Sequence, residues 1–279
     1  MRFGAHVSIA GGAASALERA KDLHISVFQI FSRSPRGKGG VLSEKEIKNF
    51  RQRYGELAFE DFYLHSPYYV NLASPNPKIW HSSISSLVKD LKLTELLGAN
   101  YLVVHTGNHR GQGVEKGIKR VAKALKGILS RTSSTTALLL ENTAGQGTAI
   151  GSRWEEIASI IESCGVEERL GTCMDTCHAF ASGYDIGTRE KIDETLAEFD
   201  RIIGLTRLKL IHGNDSKGAL GSRIDRHEHI GRGRIGLAGF QALVNHPALE
   251  HLDMIIETPK MGSESDRDNL DILTGLVGQ

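Results

Sequence analysis

Only three cysteines stand in the 279 residues, Cys164, Cys173 and Cys177, and no two of them form a CxxC pair. So sparse and odd a set excludes a disulfide framework and a structural zinc held by thiolates, and it predicts a reducing, cytoplasmic setting. No apolar run approaches the roughly 18 residues of a membrane-spanning helix, so no membrane partner is expected. The opening MRFGAHVSIAGG is too short and too broken by glycine for a signal peptide. Charge of either sign is also scarce in excess: 34 Lys and Arg against 33 Asp and Glu leave a net +1. Any nucleic-acid footprint must therefore be local. Glycine-rich stretches at 107, 111–113, 145–147 and 231–233 match neither the dinucleotide nor the P-loop spacing. They read as turns where backbone comes close to a ligand.

What the chain does have is a regular alternation. Strand-length apolar runs are expected at Arg2–Val7, Val27–Phe31, Phe62–His65, Tyr101–His105, Ala137–Glu141, Gly171–Asp175, Leu208–His212 and Asp253–Thr258. Cores such as YLVVH, ALLLE and MIIET are too continuously apolar for a one-sided sheet and suit parallel strands buried on both faces. Helical patterns fill the gaps, at Gly12–Leu23, Ser43–Leu57, Lys78–Leu97, Val114–Leu129, Trp154–Glu162, Lys191–Ile203, Leu237–Val244 and Ser265–Leu276. Ser43 and Glu46 have capping-box spacing, and Leu97-Gly98 and Ile203-Gly204 carry helix stop signals. Eight strand–helix units predict an α/β chain of the (β/α)8 TIM-barrel class, with residues 1–279 forming a single domain. A doubly wound open sheet is the alternative. It gives no reason for the feature that follows.

Strand after strand ends in a side chain able to bind metal: His65, His105, Glu141, Asp175, His212 and Glu257, with His178 close behind Asp175. A parallel barrel gathers the carboxyl ends of its strands on one face, so donors scattered in sequence converge in space. Asp225 and His227, in the loop after the seventh strand, have the Asp-x-His spacing that puts alternate side chains on one side. Nine nitrogen and oxygen donors without thiolate suit zinc, manganese or iron. At about three or four ligands per ion they amount to two or three ions with shared carboxylates. His6 also ends a strand, but Gly4 and Ser8 beside it favour a packed, hydrogen-bonded role. His109 and His229 are expected to face solvent or orient neighbours, and His24, His81, His246 and His251 to lie on the surface. Cys173 and Cys177 read as small buried hydrophobes. Basic residues gather in two loops of the same rim: Arg33, Arg36 and Lys38, then Lys217, Arg223, Arg226, Arg232 and Arg234. Solvated loop charge is the plain interpretation; a track for a phosphate backbone is the functional one. Tyr68 and Tyr69 offer stacking or wedging surfaces to a nucleic acid.

These residues resemble the endonuclease IV family of apurinic/apyrimidinic endonucleases along nearly the whole chain. The segments carrying the resemblance are GAHVSIAGG, HSPYYVNLA from His65, HTGNH from His105, ENTAGQG from Glu141, CMDTCHAFASGYD from Cys173, HGNDSK from His212 and GSRIDRHEHIGRGRIG from Gly221. The resemblance implies a TIM barrel holding three zinc ions, with manganese an option at some sites. It assigns one ion to His65, His105 and Glu141, a second to Glu141, Asp175, His212 and Glu257, and a third to His178, Asp225 and His227. It also implies catalytic roles for Glu141 and Glu257. The expected substrate is double-stranded DNA containing an abasic site, cut on its 5′ side to leave a 3′-hydroxyl and a 5′-deoxyribose phosphate, or DNA with a blocked 3′ end. The DNA-binding residues it points to are Arg36, Tyr68, Tyr69, Arg226 and Arg232, on a monomer. The loop after the second strand, Arg33 to Gly40, departs from the family pattern in lacking an aromatic or glutamine after Arg36, which predicts a wedge that is weaker or is supplied by Tyr68 and Tyr69. Two other classes fit parts of the pattern. A sugar isomerase or epimerase on the same barrel would leave His178, Asp225 and His227 surplus, and an inactive metal-stabilised DNA-binding protein would not need the complete donor set.

Overall fold

The computed structural model describes residues 1–34, 42–132, 135–260 and 265–278. Eight parallel strands close into a barrel: β1 (Arg2–His6), β2 (Val27–Phe31), β3 (Asp61–His65), β4 (Tyr101–His105), β5 (Ala137–Glu141), β6 (Leu170–Asp175), β7 (Leu208–His212) and, after a short antiparallel pair β8 (Asp215–Ser216) and β9 (His227–Glu228), β10 (Asp253–Ile256). The helices are α1 (Ala13–Asp22), α2 (Glu44–Leu57), α3 (Pro77–Leu97), α4 (Val114–Leu129), α5 (Trp154–Cys164), α6 (Thr176–Ser182), α7 (Arg189–Ile202), α8 (Gly236–Val244) and α9 (Asp266–Leu276). The TIM-barrel expectation holds. Local signals act where the sequence placed them: Ser43 and Glu46 form the capping box of α2, and Gly98 ends α3 at φ 97°.

Two apolar layers hold the barrel. The larger lies between the strands and the surrounding helices and includes Phe28, Phe62, Leu102, Leu140, Trp154, Phe199 and Phe240. The smaller fills the barrel itself, with Val27, Tyr63, Val103, Leu139, Cys173, Leu210 and Ile255 contributing one side chain each from seven strands. β1 contributes Gly4 instead, because a Cβ there would collide with the Val27 carbonyl and the Ile255 side chain. Below this layer the floor is polar: Arg2 grips Asp253 through Nε at 2.7 Å and Nη2 at 2.9 Å, and the buried Tyr63 hydroxyl donates to Asp253 at 2.7 Å.

Strand geometry then dictates what lies above. Side chains alternate with period two, so the residue two beyond each inward apolar one also points inward, one step nearer the carboxyl end. Those residues are Gln29, His65, His105, Glu141, Asp175, His212 and Glu257, with His6 two beyond Gly4. Glu257 lies one residue past the end of β10, which is shorter than the Asp253–Thr258 run expected.

Further departures from expectation are local. The helix α6 starts directly after β6, capped by Asp175, whose Oδ1 accepts from the His178 amide at 2.7 Å. The β8–β9 pair was also unforeseen. His246 is buried and bonded through Nε2 to Asp193 at 2.9 Å while capping a short helical turn, so it is no surface residue. Of the two roles expected for His229, facing solvent is ruled out by its burial, and it lies beside Asn269 at 3.0 Å.

Candidate metal centre

The barrel mouth brings together all nine donors singled out from the sequence. Among the described residues their ligand atoms form three groups, within each of which every atom lies within 4.8 Å of the others: His65, His105 and Glu141; Glu141, Asp175, His212 and Glu257; and His178, Asp225 and His227. A fourth grouping replaces the third by Asp175, Cys177 and His227. Glu141 belongs to two groups because it is fully buried at the centre, with His65 Nε2 2.9 Å and His105 Nε2 3.4 Å from Oε2, and His212 Nδ1 3.2 Å from Oε1.

Each of four imidazoles is held at one ring nitrogen by an oxygen acceptor, which turns the other nitrogen into the cluster. His65 Nδ1 meets the Ser66 carbonyl at 2.6 Å, His178 Nδ1 the Asn142 carbonyl at 2.9 Å, and His227 Nδ1 the Glu257 carbonyl at 3.0 Å. His212 is held at its Nε2 by Gln29 Oε1 at 3.0 Å. Carboxylates are aimed in the same way. Asp175 Oδ2 accepts from Asn214 Nδ2 at 2.6 Å, and the Asp175 backbone is locked to Asn142 in both directions. Glu257 N donates to Asn214 Oδ1 at 2.7 Å. Fixed donors with anchored far sides are the arrangement that metal sites need.

Spacing tests whether these groups fit ions. Two ligand atoms about 2.0–2.1 Å from a tetrahedral zinc are about 3.4 Å apart. The structure has His105 to Glu141 at 3.4 Å, His212 to Glu257 at 3.5 Å, His178 Nε2 to Asp225 at 3.2 Å, and His227 Nε2 to Asp225 and to Asp175 each at 3.7 Å. Most of these are long for hydrogen bonds and right for a shared cation. His227 Nε2 is moreover buried with no hydrogen-bond partner. The residues fit the metal.

Electrostatics say the same. Burial would push Glu141 up, yet His105, His212 and His178 hold its carboxyl well below the usual range. Glu257 is likewise raised by burial but pulled well below by His212 and His6. Burial would lower His178, but Asp175, Asp225 and Glu141 raise it well above the ordinary value. His212 is raised against burial by Cys173, Glu257 and Glu141. Burial wins at His105 and His6, which are lowered. Asp225, despite burial, falls to about 2 beside His178 and His227. Glu141, Glu257 and Asp225 are thus held in their charged form, and the balancing positive charge must come from imidazolium or from a cation.

The loop carrying Asp225 and His227 is clamped by a residue that the sequence did not flag. Buried Asp215 accepts backbone N–H bonds from Gly231 at 3.0 Å, Gly233 at 2.9 Å and Ile235 at 3.0 Å. Gly233 is required here, since a Cβ would run into the Asp215 carboxylate.

A family model described as a xylose isomerase-like TIM barrel matches residues 17–274. Among curated proteins, the "Probable endonuclease 4" of Halothermothrix orenii is 43% identical over 275 residues, 98% of this chain and 99% of the relative. The chain belongs to the endonuclease IV family. The protein of the same name from Chloroflexus aggregans is 44% identical over 280 residues, covering 99% of this chain and 98% of the relative. The crystal structure of endonuclease IV from Thermus thermophilus superposes with a TM-score of 0.86 at 38% identity, covering 99% and 98% of the two chains.

Around this endonuclease IV-type mouth the expected DNA-facing residues separate. A cavity of about 440 Å³ opens above the donors, and Tyr68, Asn108, Gln146 and Arg226 are among its walls. Tyr68 is 63% exposed with its ring 5.1 Å from Phe31 and 6.3 Å from His105, at the edge of the cluster. Tyr69, 46% exposed, turns instead to a separate hollow with Lys78 and Ile79 on α3. Arg232 lines another hollow, with Lys217, Glu228 and Arg234. Arg33 bonds to buried Asp90 through Nε at 2.9 Å and to the Ser86 carbonyl, so its side chain is tied to α3 rather than facing a phosphate. Arg36 and Lys38 lie outside the described residues.

Residues missed in the sequence are those that hold the donors: Gln29, Asn142, Asn214 and Asp215. For Gln29 a signal existed, since it stands two residues beyond Val27, as His65 does beyond Tyr63.

Proposed function

We propose that this chain is a DNA-repair endonuclease that hydrolyses the phosphodiester on the 5′ side of an abasic site in duplex DNA. The observation carrying this reading is the set of three donor groups sharing Glu141 at one barrel mouth, in a chain 43% identical to a probable endonuclease 4. His65, His105 and Glu141 would hold one zinc ion, Glu141, Asp175, His212 and Glu257 a second, and His178, Asp225 and His227 a third, with manganese an alternative at some sites. Bound there, the ions would supply Lewis acidity, lowering the pKa of a water and screening phosphate charge.

The protein's own part is positional. Anchored imidazoles and carboxylates keep the donors preorganised, so little reorganisation is needed as charge develops. The apolar layer of Val103, Leu139 and Leu210 beneath keeps water out from below. Glu257, anchored through its backbone to Asn214, is suited to orient the attacking water. Arg226 at the mouth can meet a phosphate, and Tyr68 can stack on or wedge against a base. Water adds across the P–O3′ bond: its oxygen ends on phosphorus and a proton on the departing 3′ oxygen. The products are a 3′-hydroxyl and a 5′-deoxyribose phosphate. The same geometry admits trimming of blocked 3′ ends, and a single mouth suits a monomer. No helix among the described residues is long and apolar enough to cross a membrane.

The test is incubation of purified protein with a duplex carrying one abasic position, with and without chelator, alongside elemental analysis. A single chelator-sensitive nick 5′ to the lesion and about three ions per chain are expected. A metal-replete preparation holding one ion or fewer contradicts the proposal. So does intact DNA.

A further inference from the structure

Gln29 is fully buried on β2, a strand that carries none of the residues assigned to metal from the sequence, yet it touches two of the proposed donors, Glu257 and His212, and also His6. Its Nε2 lies 2.8 Å from Glu257 Oε1 and 2.9 Å from His6 Nδ1, and its Oε1 lies 3.0 Å from His212 Nε2. His6 Nδ1 is itself 2.8 Å from the same Glu257 oxygen.

The orientation of this amide follows from its neighbours. An ionised carboxylate only accepts, so the NH2 of Gln29 must face Glu257. Reversing the amide would set two acceptors against each other at 2.8 Å. Its oxygen is then committed to His212, which must carry hydrogen on Nε2. The lone pair that His212 can offer an ion is therefore on Nδ1, the nitrogen facing Glu141 at 3.2 Å and Glu257 at 3.5 Å.

We propose that Gln29 is a positioning residue for the group formed by Glu141, Asp175, His212 and Glu257, fixing the tautomer of His212 and the direction of Glu257 together. The proposal rests on the metal reading of the site. It concerns a side chain that lies below the mouth and does not line the cavity where a duplex would lie. One residue here does two jobs that elsewhere in the cluster are divided between the carbonyls holding His65, His178 and His227 and the Asn214 amide on Asp175, so removing it loosens one group of donors while leaving those anchors in place.

The experiment compares wild type with Gln29→Met, which keeps the length and apolar stem and removes both hydrogen-bonding functions. Zinc is titrated against a competing chelator, ions per chain are counted, and histidine ring nitrogens are observed by NMR in 15N-histidine-labelled, zinc-loaded protein. In the variant one of the three ions should bind about 10- to 100-fold more weakly. The His212 Nε2–H signature should be lost or mixed, and kcat on an abasic duplex should fall with KM changed by less than about twofold. Unchanged affinity and tautomer in Gln29→Met overturn the proposal, as does equal weakening of all three ions together with a lower Tm. Should Gln29→Met fail to fold, Gln29→Glu carries the test. It keeps the acceptor toward His212 but sets a second carboxylate against Glu257, so the tautomer should persist while affinity falls, and unaltered affinity refutes the role. A wild-type chain that binds no zinc removes the metal reading itself. Wild type binding three ions with an indifferent variant removes only the role of Gln29.

Discussion

Zinc uptake by the metal-free protein should release protons, and their number can be worked from the site. Two imidazoles, His178 and His212, sit well above their ordinary pKa because carboxylates surround them. Their unfolded value is about 6.5, so at pH 7 both are protonated in the metal-free fold. A histidine donor must be neutral at the nitrogen that binds an ion, so loading displaces these two protons. Glu141 and Glu257 are held well below the usual range and contribute none. His212 and His178 belong to different donor groups, so the affinity for each of these two ions should change by about tenfold per pH unit near neutrality, one power of ten for the one proton it displaces. The sign differs for the metal-free fold. A raised imidazole stabilises it fully below about pH 6.5, and this contribution is lost as pH rises through the folded value. Alkaline pH thus weakens the metal-free chain while favouring the loaded one. Isothermal titration of zinc at pH 7 in buffers of different ionisation enthalpy measures the count directly. About two protons per chain are expected, and a slope indistinguishable from zero would refute the charge assignment at the site.

Glu141→Gln should abolish cleavage with far-ultraviolet circular dichroism unchanged, and bound zinc should fall from about three ions to about one, since two groups share this carboxylate; cleavage at the wild-type rate contradicts its bridging position. Asp90→Ala should cost about 3–5 kcal/mol in urea unfolding by stranding the largely buried Arg33 guanidinium, whereas loss of DNA affinity at unchanged stability would restore Arg33 to the phosphate track. Tyr68→Ala should weaken abasic-duplex binding by about 1–3 kcal/mol, roughly 5- to 150-fold, with no change in zinc content; unaltered affinity in a binding titration removes it from the interface. Burial pushes the Cys173 and Cys177 thiols up to about 12, so both should resist a thiol reagent at pH 8 until the protein unfolds. Rapid labelling of either in the native state is the contrary result.

The barrel was legible because its strands announce themselves twice, by continuous apolar runs and by the helices between them. Six of the nine donors were legible because they terminate those runs at period two above the inner apolar layer; His178, Asp225 and His227 were read from their spacing behind the sixth and seventh strands. Those same two rules also put Gln29 and His6 on the inner face. Gln29 escaped notice because an amide in FQIF looks like an interruption of a strand rather than its functional end. Asp215 escaped because its partners are backbone amides of Gly231, Gly233 and Ile235, and backbone partners leave no mark in side-chain chemistry. Helix α6 was hidden by its brevity, since seven residues give too little periodicity to distinguish helix from loop. Arg33 and Arg232 show the limit of reading charge in loops: placement near a site says nothing of which way a long side chain turns.

The packed ring of Val103, Leu139, Leu210 and their neighbours, sealed underneath by Arg2, Tyr63 and Asp253, leaves the chamber without a back door. Whatever enters must depart by the same opening, and a bound duplex would stopper it. Chelators should therefore strip the free protein readily and the DNA complex slowly, with the nucleic acid guarding its own catalyst's ions until the nicked strand lets go.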